Sequence, residues 1–153
     1  MEDCCSKTNL TDFKREINQI LGRLYSQYYN ITFLSFIDFD GSVIDFQIHS
    51  QMWKESKKKI DEILKKTLDF KLSSIKTAKL IGYESSSQTF IRGDSHVIVT
   101  YDIEGYLLII YIEMSKPLID AFDFEKFNEK IELILIELKK KIDSLKQNNE
   151  NNK

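Results

Sequence analysis

The stretch Ile31-Thr-Phe-Leu-Ser-Phe-Ile-Asp-Phe-Asp-Gly-Ser-Val-Ile-Asp-Phe-Gln-Ile48 decides the fold. Its first nine residues are almost continuously apolar and aromatic, the pattern of a strand covered on both faces. Asp40-Gly41 then marks a hairpin, because glycine takes the positive φ of a tight turn without steric cost. Beyond it Ile44, Phe46 and Ile48 alternate with Asp45 and Gln47, the two-residue period of a strand with one face toward a core. A hairpin whose first strand is apolar on both sides needs a covering layer above and another below.

Helical patterns flank the hairpin and supply those layers. Upstream, residues 1–8 read as a flexible lead-in. Asn9 then caps a helix whose stripe is Leu10, Phe13, Ile17, Ile20, Leu21, Leu24, Tyr25 and Tyr28, with Asp12 placing negative charge in its first turn. Downstream, Ser50 caps a second helix with Met52, Trp53, Ile60, Ile63, Leu64 and Leu68 on its apolar side. It reaches at least Phe70. From Lys71 to Tyr83 the pattern fits a continued helix or an extra strand, and helix is favoured.

After a polar break at 84–87, strands are expected at Gln88–Ile91, Ser95–Tyr101 and Tyr106–Glu113, separated by turns at Gly93-Asp94 and Glu104-Gly105. Pro117 closes this meander. Asp123 caps a last helix with the stripe Phe124, Phe127, Ile131, Ile134, Leu135, Leu138, Ile142 and Leu145. The Asn-rich segment 147–153 reads as a disordered tail. The expected architecture is a single α+β domain over 9–146: a five-stranded antiparallel sheet flanked by helices on both faces, in the order α-β-β-α-β-β-β-α.

Composition narrows the function. The chain has 153 residues, 42% of them hydrophobic, enough to bury a core without metal or disulfide staples. Both cysteines, Cys4 and Cys5, are adjacent at one end and form no disulfide framework, although reversible lipidation there is conceivable. The longest apolar run, Tyr106 to Ile112, is too short to span a bilayer, and no secretory signal is visible, so a cytoplasmic protein is expected. The sequons at Asn9 and Asn30 are then chance matches.

No phosphate-binding loop or dinucleotide fingerprint occurs in the sequence. His49 and His96 have no close Cys or His companion, so neither a metal nor a cofactor is expected. A nucleophile needs an anchored base beside it, which the terminal cysteines lack. Asp38, Asp40 and Asp45 around the first turn read as solvated carboxylates, and Arg92-Gly93-Asp94 reads as a turn rather than an adhesion motif. No catalytic residue is assigned.

Charge is unevenly distributed. Residues 51–81 carry nine lysines against Glu55, Asp61, Glu62 and Asp69, a net of +5, while the rest of the chain is at −7. Lys54, Lys57, Lys58, Lys59 and Lys65 on the second helix are therefore candidates for docking an acidic partner, and peripheral membrane contact is a related reading. Nucleic acid is not expected, because no aromatic platform is interleaved with the lysines. Trp53 fits a binding hot spot or a core position equally.

The hairpin Phe33–Ile44, the strand run Gln88-Thr-Phe-Ile-Arg92, and the strands His96–Tyr101 and Glu104–Ile112 together resemble the roadblock family of dynein light chains and its prokaryotic relatives. The segment 51–87 is longer than that family's usual second helix. The resemblance implies a homodimer in which second helices lie antiparallel and third strands pair edge to edge. Its matching positions are Trp53, Ile60, Ile63 and Leu64 on the helix, and Gln88, Thr89, Phe90 and Ile91 on the strand. It also implies partners: a small Ras-like GTPase, or a motor or membrane-anchored scaffold protein. Such a dimer binds and regulates without nucleotide chemistry of its own. Longin and profilin-like domains share the five-strand, helix-flanked plan, and the alternative function is a longin-like trafficking or membrane-tethering module, although a longin domain normally lacks the N-terminal helix.

Overall fold

A computed structural model describes the backbone of residues 2–28, 31–48, 50–82 and 88–151, and the side chains of all these except 2–8 and 50–55. The chain runs α1 (Glu2–Gln27), β1 (Ile31–Asp38), β2 (Val43–Ile48), α2 (Ser50–Leu80), β3 (Gln88–Arg92), β4 (His96–Ile103), β5 (Tyr106–Glu113), a short α3 (Lys116–Asp120) and α4 (Phe124–Asn151). The strands form one antiparallel sheet in the order β2-β1-β5-β4-β3. The expected order of elements is present, with α3 added between the sheet and the last helix.

The two most apolar strands, β1 and β5, lie at the centre, with Leu34 opposite Ile110 and Ser35 opposite Ile109. Alternation splits their side chains between two cores. Leu34, Phe36, Leu108 and Ile110 meet α1 and α4 on one face, with Val97, Val99 and Tyr101 of β4. Phe33, Ile37, Leu107, Ile109 and Tyr111 meet α2 on the other. Each such side chain contributes about 1.5–3 kcal/mol when fully buried.

Helices α1 and α4 bury Phe13, Ile17, Ile20, Leu21 and Leu24 against Phe127, Ile131, Ile134, Leu138 and Ile142. Arg23 to Glu137 at 2.6 Å and Lys141 to Glu16 at 3.4 Å bridge them, but these pairs are about half exposed and add only a few tenths of a kcal/mol. On the opposite face α2 buries Ile60, Leu64, Thr67 and Lys71, one stripe at helical spacing.

Turn chemistry follows the sequence. The Asp38 carboxylate accepts from the backbone amides of Asp40 (3.0 Å) and Ser42 (2.9 Å), and Gly41 sits at φ 91. Asp38 is thus engaged by the turn it was expected only to flank, while Asp45 is buried and accepts from Asn18 of α1 at 2.8 Å. Asp123 caps α4 as expected, its Oδ1 accepting from the Lys126 amide at 3.1 Å.

Three boundaries differ from expectation. Helix α1 starts at Glu2, so residues 2–8 are helical and Asn9 lies inside the helix. No Pro or Gly precedes Gly22, so nothing stops a helix from extending backward. At the other end α4 continues through the Asn-rich segment to Asn151, which also contains no breaker. Pro117 does not merely close the sheet: it starts α3, where its missing amide costs nothing. The undecided stretch after Lys71 is helix to Leu80, ended by Gly82 at φ 91, the left-handed cap that glycine takes freely.

Candidate interaction surface

A single helix about 10 Å across cannot cover five strands spaced about 4.8 Å apart. On one face two helices share the task and the cover is complete across β4. On the other, among the described residues, α2 works alone, and its core draws on β1, β5, the inner side chains of β2 and Ile98 of β4, but on no residue of β3. Register places Thr89 opposite Thr100 and Ile91 opposite Ile98, so these four share the α2 face of the sheet. Ile98, Thr89 and Ile91 are only partly buried there.

The side of α2 that borders this open half can be identified. Asp61, Lys65, Leu68 and Asp69 line a cavity of about 360 Å³ against the β1–β2 turn. The opposite flank carries Ile63, which lines a small cavity with Phe33 and Tyr111, and Phe70 seven residues on; it faces away from that turn, toward the β5 side of the sheet. Phe70 is 49% exposed. An exposed aromatic on that flank and the half-covered sheet face are both apolar surface left open among the described residues.

Strand β3 is the sheet edge on that side, and it is held rigidly from behind. Phe90 packs on Phe122 and Phe124 with ring centroids 5.9 and 4.8 Å apart. Arg92 lies 5.2 Å over the Phe90 ring and donates to the Phe122 carbonyl at 2.9 Å. The Tyr101 hydroxyl donates to Asn128 Oδ1 at 2.5 Å, and Asn128 Nδ2 donates to Gln88 Oε1 at 3.2 Å. Burial pushes the Tyr101 phenol up, so it remains a donor across the physiological range. The hydroxyls of Thr89 and Thr100 bond across the strand pair.

Two of the expected interface residues, Ile60 and Leu64, are buried at 4% and 9% against their own sheet, so they hold α2 in place and present little to a partner. Thr89 and Ile91 lie at the open face, Ile63 lies on the flank of α2 beside Phe33 and Tyr111, Gln88 is exposed at the edge, and Phe90 points to the α4 side. Phe70 was missed, although its spacing of seven from Ile63 could have marked it. Trp53 and Lys54 have side chains outside the described residues. Lys57, Lys58, Lys59 and Lys65 are all exposed, and Lys65 lines a cavity together with Asp40, Asp61 and Asp69.

Lys71 is fully buried in the α2 stripe. Burial pushes its ammonium down, and the charge of Asp102 on β4 partly restores it. Asp102 is in turn raised mainly by burial and lowered by Lys71 and by the Gly105 amide. The two charges favour each other between α2 and the β4–β5 turn. From the other face Glu104, at φ 52, takes Lys139 at 3.8 Å and Lys146 at 3.4 Å from α4.

His96 lies on β4 with Nε2 3.5 Å from Glu113, shares a hydrogen bond of 2.8 Å with Ser95 and packs against Tyr111. His49 lies outside the described residues. Among the described residues no group of three potential metal ligands converges, and no helix is long and apolar enough to cross a membrane.

No protein-family model and no curated protein matches the sequence. Solved structures do match. MglB of Myxococcus xanthus superposes with a TM-score of 0.65 at 19% identity, covering 86% of this chain and 91% of that one. Gliding protein MglB from Thermus thermophilus gives 0.67 at 13% identity, over 86% and 92%. A Roadblock/LC7 domain from Streptomyces avermitilis gives 0.56 at 11% identity, over 85% and 94%. The chain therefore has the roadblock-type fold.

Proposed function

We propose that the chain is a non-catalytic, cytoplasmic adaptor that acts as a homodimer and binds, and regulates, a small Ras-like GTPase. The observation that carries the dimer is the half-covered sheet face ending in a braced edge strand. Pairing of β3 with the β3 of a second copy would satisfy the outer backbone groups of both edges. The second copy's α2 would then lie over Ile91, Thr89 and Ile98, where Ile63 and Phe70 of each helix fill the uncovered half of the other sheet. Each copy supplies what the other lacks, as a two-fold interface requires.

The GTPase reading rests on the roadblock-type fold and on the exposed lysines of α2. Lys57, Lys58 and Lys59, with Lys54, form a basic start to that helix suited to an acidic protein surface. A regulator of this kind acts by holding the partner's own catalytic groups and needs no nucleotide chemistry of its own. The packing of α1 along α4 favours this reading over a longin-like module.

The test is a binding panel of small Ras-like GTPases, each loaded with GDP and with a non-hydrolysable GTP analogue. Complex formation that depends on nucleotide, and weakens about tenfold or more on combined Lys57→Glu and Lys58→Glu substitution, is expected. No complex in either nucleotide state across the panel would sink the GTPase assignment and leave the dimer untouched.

A further inference from the structure

Several large apolar side chains are exposed on α1, β2, α3 and α4, Leu133 at 73% among them, but one helix end gathers four. Among the described residues, Phe70, Leu72, Leu80 and Ile81 fall within the last turns of α2 and its cap, with Leu80 87% and Ile81 69% exposed. Phe70 belongs to the flank that carries Ile63. Leu72 and Leu80 do not. At 100° per residue, Lys58, Lys65, Leu72, Lys76 and Leu80 share the outward side of the helix, with Lys79 at its margin, away from the buried stripe of Ile60, Leu64, Thr67 and Lys71.

The charge of this outward side changes along the helix. Its first half mixes lysines with Asp61, Glu62 and Asp69, and Lys66 is paired with Glu62 at 3.4 Å. From Phe70 to Gly82 there is no acidic residue, and Lys76 and Lys79 are exposed between Leu72 and Leu80. Basic residues also stand favourably near a helix C-terminus, where the carbonyl ends carry partial negative charge. The result is a basic, apolar helix end on the one layer of an otherwise acidic molecule that carries net positive charge.

We propose that the outward side of the C-terminal third of α2 docks on an anionic lipid bilayer. Leu72 and Leu80 enter the headgroup boundary, while Lys76 and Lys79 meet lipid phosphates and acidic headgroups. An acidic protein would complement the lysines, but it gives no reason for an apolar side chain as exposed as Leu80 beside them. The bilayer accounts for both. The site lies on a different side of α2 from Ile63 and Phe70, so a dimer built on that flank keeps it open, and two copies on one surface bind with greater avidity than one.

Sedimentation with vesicles tests this. The full chain is mixed with vesicles of neutral phosphatidylcholine, or of phosphatidylcholine with about one third phosphatidylglycerol, at low and at high salt. Binding is expected on the anionic vesicles only, falling as salt screens the lysines. Lys76→Gln with Lys79→Gln is expected to weaken partitioning roughly thirtyfold, about fivefold per lysine. Leu80→Ser is expected to weaken it several-fold with the charge unchanged. Thermal melts and solution mass of these variants are expected to match the wild type, because the replaced side chains are exposed. Equal recovery on neutral and anionic vesicles would overturn the proposal, as would unchanged binding by the lysine variant. Altered solution mass in either variant would overturn the separation of the two sides of α2.

Discussion

Lys71 and Asp102 make the sharpest predictions about individual side chains. Lys71 is fully buried and Asp102 only partly, so the two do not depend on each other equally. Asp102→Asn removes a charge that favours the buried ammonium and is expected to cost about 1–2 kcal/mol in urea unfolding. Lys71→Met leaves a carboxylate that keeps some water and the Gly105 amide, and is expected to cost under about 1 kcal/mol. The reverse ranking would show that Asp102 does not favour the buried ammonium. Linkage gives a second check. Burial holds Lys71 below its ordinary 10.5, so the unfolded chain binds that proton more readily than the folded one. Stability therefore rises with pH through the depressed pKa toward 10.5. The raised phenols of Tyr101, Tyr106 and Tyr111 act in the opposite sense but are common to wild type and variant. The Tm of wild type relative to Lys71→Met is expected to improve as pH rises toward 10.5, and a constant difference would refute the assignment. Little of this was legible, because Lys71 lies in a lysine-rich helix and looks like another solvated cation. Only its steps of eleven, seven and four from Ile60, Leu64 and Thr67 distinguish it.

Among the elements, β3 and α2 carry the functional argument. Asn128→Ala removes the link between Tyr101 and Gln88 and is expected to loosen β3, seen as faster amide exchange at 88–92 with β1 unchanged. Exchange as slow as in the wild type would mean that Phe90 and Arg92 brace the strand by themselves. The strands were the most readable elements, since alternation and the turns at Gly41 and Gly105 place all five within about two residues. Helix lengths were less readable. The ends of α1 and α4 are polar and have no breaker, so neither periodicity nor composition marks where they stop. The length of α2 was in principle visible, because Gly82 follows Ile81 at the position a helix cap requires. The missed α3 reflects the two roles of proline, which ends one element and starts the next.

For the molecule as a whole, the three-layer arrangement was visible in a hairpin strand apolar on both sides. The half-covered sheet was not, because no local pattern says how many strands one helix will shelter. That shortfall is geometric and appears only when β3 and β4 are placed beside α2. It is also the basis of the proposed dimer, so the oligomeric state is where sequence, packing and function meet. Phe70→Asp puts a charge into the proposed contact while leaving the buried stripe of α2 intact. It is expected to weaken self-association by roughly thirtyfold or more with little loss in Tm. The decisive measurement is solution mass by light scattering over a concentration series, wild type beside Phe70→Asp. A wild-type mass near twice the 18.0 kDa of the chain, with the variant falling toward a single chain as it is diluted, is the predicted result. A wild-type mass that stays at 18.0 kDa across the series would contradict the dimer and, with it, the open sheet face as the surface where two copies meet.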